Sequence, residues 1–107
     1  MKKIVLALSV LGLCNTSLTF AAEHEVGQKN KEFTIKELTI KVGDTVNFKN
    51  NDPFHHNIYS LSDIAIFDLG SYPKGESKGF KFDTAGEAEI SCAIHPNMLM
   101  KVKVEEK

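Results

Sequence analysis

The sequence predicts an all-β fold in a single domain, a sandwich or barrel of about seven short strands, and three observations carry that reading. Apolar residues alternate with polar ones at period two over most of the chain beyond Lys31. No segment keeps a long 3.6-residue period. Turn residues recur between the apolar runs, at a spacing of roughly 8–12 residues. Alternation of this kind sets one face of each strand against a core and leaves the other in water.

Each element follows from that pattern. Phe33 and Ile35 alternate with polar neighbours, and Leu38, Ile40 and Val42 continue in the opposite phase. The change of phase across Lys36-Glu37 predicts a bulge or a strand break. Gly43-Asp44 reads as a turn, with Val46 and Phe48 resuming the pattern beyond it. The run Asn50 to Pro53 is dense in turn residues and ends that segment. A further strand covers His55 to Leu61. From Ser62 to Ser77 the pattern fits a short helix, an irregular crossover or a strand. Phe80 and Phe82 alternate with lysines, a turn at Gly86 opens a strand running into Cys92, and Val102 and Val104 alternate with lysines near the end.

The first residues have a different character. Met1-Lys2-Lys3 is positive, Ile4 to Cys14 is an apolar stretch too short to span a bilayer, and Asn15 to Ala22 is polar and small. That order predicts a secretory signal peptide over residues 1–21. Cleavage after Ala21 leaves Thr19 three residues before the cut, where cleavage after Ala22 would leave bulky Phe20. A lipid anchor on Cys14 is the weaker reading, because Leu13 precedes it where a small residue is expected. The functional domain is then residues 22–107. It is expected to be exported, to the periplasm of a Gram-negative cell in the simplest case.

All 13 basic residues of the chain are lysines, and two of them fall in the signal peptide; against 14 acidic residues this gives the domain a net charge of −3. Without arginine or a basic run, nucleic acid is excluded as a partner class. Residues 22–107 contain no second hydrophobic span, so a soluble domain without a transmembrane segment is expected, acting as a monomer. Past the signal peptide one cysteine remains, Cys92. Small exported domains often rely on disulfides, and a single thiol cannot form one internally. Cys92 is therefore buried and inert, paired between molecules, or a metal ligand.

The surroundings of Cys92 favour the metal. Cys92, His95 and Met98 form C-x2-H-x2-M in a loop broken by Pro96, just before the last strand. A tight loop between neighbouring strands aims several side chains at one point. Thiolate, imidazole and thioether suit cuprous copper and, with one more histidine, copper that cycles between two oxidation states. His55 and His56 offer that histidine. Being adjacent in a strand they point to opposite faces, and period two groups His56 with the apolar Ile58, so His56 is expected to face inward. Separately, each donor could be a buried small residue, a loop histidine or core filler.

The upstream His56-Asn57, the run "FKFDTAGEAEISCAIHPNM" and the final "KVKV" resemble the small blue-copper proteins of the cupredoxin family, over the stretch from Val42 onward. Within the amicyanin and plastocyanin-like proteins, the short ligand loop is most similar to that of amicyanin, since plastocyanin has a longer spacing before the methionine. This resemblance implies a Greek-key β-sandwich with one type 1 copper at its end and electron transfer as its work. It implies His56, Cys92 and His95 as a trigonal ligand set with Met98 as a long axial ligand. It also implies Asn57 as a supporting residue that bonds across to the loop around Ala93. Two residues depart from the family pattern: His55 stands where proline is common, and Met100 where glycine is common. Both are possible alternative ligands, although Met100 reads more simply as filler.

In such a site, backbone N–H groups of Asn97 or Met98 would donate to the Cys92 sulfur and tune its potential. His95 would be the solvent-facing edge, rimmed by Pro53, Phe54, Pro96 and Leu99. The partners implied are transient redox proteins, a cytochrome or a redox enzyme, docking through a small interface. A copper chaperone or storage protein using His55 and Met100 as handover ligands is the alternative, and a zinc-holding structural domain a third. No nucleophile–base pair or cofactor loop suggests an enzyme. Finally, cleavage after Ala21 would expose Ala22-Glu23-His24, whose amine, amides and imidazole make a square-planar donor set, against the plainer reading of a frayed terminus.

Overall fold

The computed structural model describes residues 20–107; the expected signal peptide, Cys14 included, lies outside the described residues apart from Phe20 and Ala21. Nine strands are formed among the described residues: β1 (Glu23–Lys29), β2 (Glu32–Phe33), β3 (Glu37–Lys41), β4 (Thr45–Asn50), β5 (His56–Ser62), β6 (Ala65–Tyr72), β7 (Ser77–Lys81), β8 (Gly86–Cys92) and β9 (Leu99–Glu105). They build two sheets, one in the order β3-β9-β8-β5-β6 and the other β2-β1-β4-β7. The chain crosses repeatedly between the sheets, giving the expected Greek-key β-sandwich. No helix among the described residues is long and apolar enough to cross a membrane.

The alternation read in the sequence is what closes the core. Val46 and Phe48 of β4, Ala88 and Ile90 of β8, and Met100, Val102 and Val104 of β9 all point inward and are buried. Between the sheets Phe67 stacks on Phe80 at 4.2 Å, and Phe80 meets Phe82 edge-on at 4.9 Å. The phase change at Lys36-Glu37 is a strand break: β2 ends at Phe33 and β3 begins at Glu37 in the other sheet.

One segment that the sequence leaves open is resolved as strand, and one strand is additional. The ambiguous stretch from Ser62 is a hairpin, with β5 turning at Asp63-Ile64 into β6, and Leu61 facing Ile66. The strand β1 lies before Lys31, ahead of the stretch where period two is evident. Its polar inward residue, Gln28, hides the pattern: it is fully buried and donates from Nε2 to the Tyr72 hydroxyl at 3.0 Å. β1 runs parallel to β4, then turns at Asn30-Lys31 into β2, so the count exceeds seven by the terminal strand and the two-residue β2.

Candidate metal centre

Two adjacent strands and one loop build the site. β8 ends at Cys92, continuing the buried series Ala88, Ile90, Cys92. Its neighbour β5 begins at His56, followed inward by Ile58 and Ser60, and Cys92 lies opposite Ile58 in the ladder. His56 is therefore buried and His55 exposed, as the alternation requires. Beyond Cys92 the chain turns at Pro96-Asn97, closed by the Met98 N–H donating to the His95 carbonyl at 2.9 Å. That turn folds His95 back over the end of the sandwich, where it is half-buried.

Three donor atoms converge there. Cys92 Sγ lies 3.5 Å from His56 Nδ1 and 3.8 Å from His95 Nδ1, and the two Nδ1 atoms are 3.2 Å apart. Donors bound at about 2.0–2.3 Å around one ion in a plane stand about 3.5–3.7 Å from each other, so this triangle has the size of a trigonal metal site. Its protonation pattern agrees. His56 Nε2 is 2.8 Å from the buried Asp52 carboxylate, which makes Nε2 the protonated nitrogen and turns the Nδ1 lone pair to the centre. Burial, then the neighbouring charges of His56 and Lys31, hold the His95 imidazole below its ordinary pKa, which favours the neutral, ligating form.

Asp52 is the functional residue that sequence reasoning missed, having been absorbed into a turn. Besides His56 it accepts the N–H groups of Asn30 at 2.7 Å and Lys31 at 3.0 Å. Burial alone would raise its pKa, but the bonds from Lys31, His56 and Asn30 outweigh this and lower it. Asn50 anchors the same loop, donating to the Phe54 and Tyr72 carbonyls and accepting the Asp52 N–H at 2.8 Å. A carboxylate four residues before a buried histidine was the available signal.

Other predicted residues take definite places. Asn57 does tie the two segments together, but through its backbone: its carbonyl accepts the Ala93 N–H at 2.8 Å, while its side chain donates to Asp68 at 2.7 Å. The N–H reaching the Cys92 sulfur comes from Asn57 as well, at 3.4 Å, and not from Met98, whose N–H is engaged by His95. Met98 is buried immediately before β9, and Met100 is buried in the core opposite Ile90. Around His95, Pro53 and Pro96 are exposed, as are Ile94 and Leu99, and the Phe54 ring lies 5.2 Å from the imidazole. Residues 23 and 24 open β1, with His24 Nε2 3.0 Å from Asp44 Oδ2 and the Ala22 N–H on Asp44 Oδ1 at 2.9 Å.

Comparison with known proteins decides the family. The model for copper binding proteins of the plastocyanin/azurin family matches residues 20–106. The chain belongs to this family. Its cofactor is copper, which suits a buried thiolate flanked by two imidazoles. Among curated relatives of this cupredoxin, the chloroplastic plastocyanin of Chlamydomonas reinhardtii is 30% identical over 94% of this chain and 79% of its own length. Amicyanin from Paracoccus denitrificans is 31% identical over 69% of this chain; the match spans 59% of that relative. Solved amicyanin structures share the fold. A variant in its Cu(I) form has a TM-score of 0.70 at 28% identity, over 77% of this chain and 81% of that one. A reduced Cu(I) form at pH 4 of another variant reaches 0.72 at 28% identity, over 84% and 87%.

Proposed function

We propose that this cupredoxin is an exported one-electron carrier whose copper would be held by His56, Cys92 and His95, with Met98 as a further, weaker ligand. The observation that carries the proposal is the triangle of Cys92 Sγ and two imidazole Nδ1 atoms, all within 4.8 Å of one another. Copper in such a set supplies a Cu(I)/Cu(II) couple.

The protein's part is to hold those donors still. Asp52 fixes the ring of His56, the Asn57 N–H fixes the sulfur, and the Asn57 carbonyl fixes the loop at Ala93. Donors clamped this way move little when an electron arrives or leaves, which keeps the reorganisation small. His95, half-buried among Ile94, Pro96 and Leu99, offers the edge nearest solvent for a transient redox partner. The chain is a carrier in this reading and not an enzyme, and it acts as a monomer.

The chaperone or storage alternative needs a second set of ligands to pass copper on. Met100 is packed in the core and the exposed His55 stands outside the donor cluster, so the carrier reading is favoured. Export rests on the signal peptide expected over residues 1–21, with residues 22–107 as the mature domain. Cyclic voltammetry of the copper-loaded domain tests the function: a reversible one-electron wave supports a carrier, and tight Cu(I) binding without reversible oxidation supports a chaperone. Intact mass of the secreted protein tests the cleavage site.

A further inference from the structure

We propose that the face around His95 is a docking surface for an acidic protein partner, recognised through Lys31 and Lys36; this rests on the carrier reading. The first argument is placement. Lys31, Lys36, His95, Ile94 and Pro96 line one shallow depression of about 490 Å³, so two ammonium groups and the apolar loop share a surface with the proposed electron exit. Glu32 lines it too and pairs with Lys36 at 3.6 Å, but both side chains are mostly exposed, and such a pair opens readily to a competing carboxylate.

The second argument is backbone conformation. β1 and β2 are joined by a two-residue turn, with φ of 57° at Asn30 and 60° at Lys31. Turns of this type favour Asn-Gly, because both residues are left-handed. A lysine stands where glycine is the unstrained choice, and Asp52 holds it there by accepting both N–H groups. The same carboxylate grips His56, so Lys31 is rigidly referenced to the metal site. Strain retained beside a functional group is a mark of use. The Lys31 ammonium lies 5.8 Å over the Phe54 ring, which itself contacts His95.

The third argument is the charge distribution. Residues 22–107 carry net negative charge. At the end of the sandwich where β8 terminates in Cys92, Lys29, Lys31, Lys36 and Lys74 are exposed beside Glu32, Glu37 and Glu76, while Asp52 is buried against His56. Glu23, Asp63, Asp83, Glu87 and Glu105 lie at the opposite strand ends, together with Lys41, Lys81 and Lys103. The acidic excess of the domain thus lies away from the site. An acidic partner is therefore repelled least at the His95 face, where Lys31 and Lys36 meet it.

The test uses the copper-loaded protein on gold electrodes coated with carboxylate-, hydroxyl- or amine-terminated monolayers, together with amide NMR of the Cu(I) form titrated with an oligo-glutamate peptide. Fast, salt-sensitive electron exchange is expected on the carboxylate layer, with oligo-glutamate shifts centred on residues 30–36 and 94–97. Lys31→Gly combined with Lys36→Gln should slow coupling to the carboxylate layer about tenfold while leaving the hydroxyl layer unchanged. Lys31→Gly removes charge without adding strain, so the variant folds. Equal coupling by the variant, or preference for the amine layer, overturns the proposal. So does binding to phosphatidylglycerol vesicles without oligo-glutamate shifts, which assigns the face to a membrane. Loss of the reversible wave on the hydroxyl layer in the unaltered protein instead overturns the carrier reading.

Discussion

Asp52 and His56 are joined by a 2.8 Å contact between carboxylate Oδ2 and imidazole Nε2, with both side chains out of water. A turn residue thereby sets the tautomer of a histidine whose other nitrogen faces Cys92 and His95. The same carboxylate closes the β1–β2 turn, so the orientation of the donor and the shape of the neighbouring surface depend on one group.

Asp52→Asn keeps the shape but removes the charge and leaves one of the N–H groups of Asn30 and Lys31 facing an amide NH2. Copper affinity should fall at least about tenfold, since outer partners of this kind are worth 10–100-fold. The reduction potential should rise, because a buried negative charge stabilises the more positive oxidised site. Copper titration and voltammetry measure the two effects; an unchanged potential would separate Asp52 from the metal.

Met98→Leu should retain copper and raise the potential, because a thioether that supports the oxidised form is replaced by an alkyl group. The buried position also favours a volume-conserving exchange, so thermal stability should change little. Voltammetry of the variant checks this, and a lowered potential would remove Met98 from the axial role.

Lys31→Gly should stabilise the fold by about 1 kcal/mol, because the left-handed conformation strains a residue with a Cβ and not glycine. Denaturant unfolding provides the measurement. A destabilised variant would mean that the lysine side chain supports the turn more than its backbone strains it.

Stability should fall in acid through Asp44. Burial alone would raise its pKa, but hydrogen bonds from His24, Ala22 and Lys41 outweigh this and bring it from 3.8 to about 2. A carboxylate depressed on folding contributes stability that is present above its unfolded pKa and lost as pH falls through the folded one. The loss therefore lies between about pH 4 and pH 2, and Asp44→Asn should flatten that part of the stability curve, read from unfolding midpoints across the range. An unaltered slope would show that other carboxylates govern the acid limb.

Much of this was legible in the sequence, for physical reasons that also explain the gaps. His56 was separable from His55 because strand alternation is strict, and Cys92 continued the inward series of Ala88 and Ile90. The hairpin after Ser62 was hidden because Leu61 and Ile66 are large, apolar and exposed, blurring the period. β1 was hidden for the converse reason, since its buried Gln28 is polar. Asp52 was read only for its turn propensity; its contact with His56 depends on how the loop closes. The sulfur's N–H donor lay on another strand, at Asn57, which local spacing around Cys92 does not reach.

The proposed carrier depends on His56, Cys92 and His95 holding one redox-active copper. The most direct measurement is the visible absorption spectrum of the copper-loaded domain beside its Cys92→Ser variant. An intense thiolate-to-copper charge-transfer band is expected that bleaches on reduction, returns on oxidation and is absent from the variant. A colourless copper-loaded protein, or a band that survives in Cys92→Ser, would contradict it.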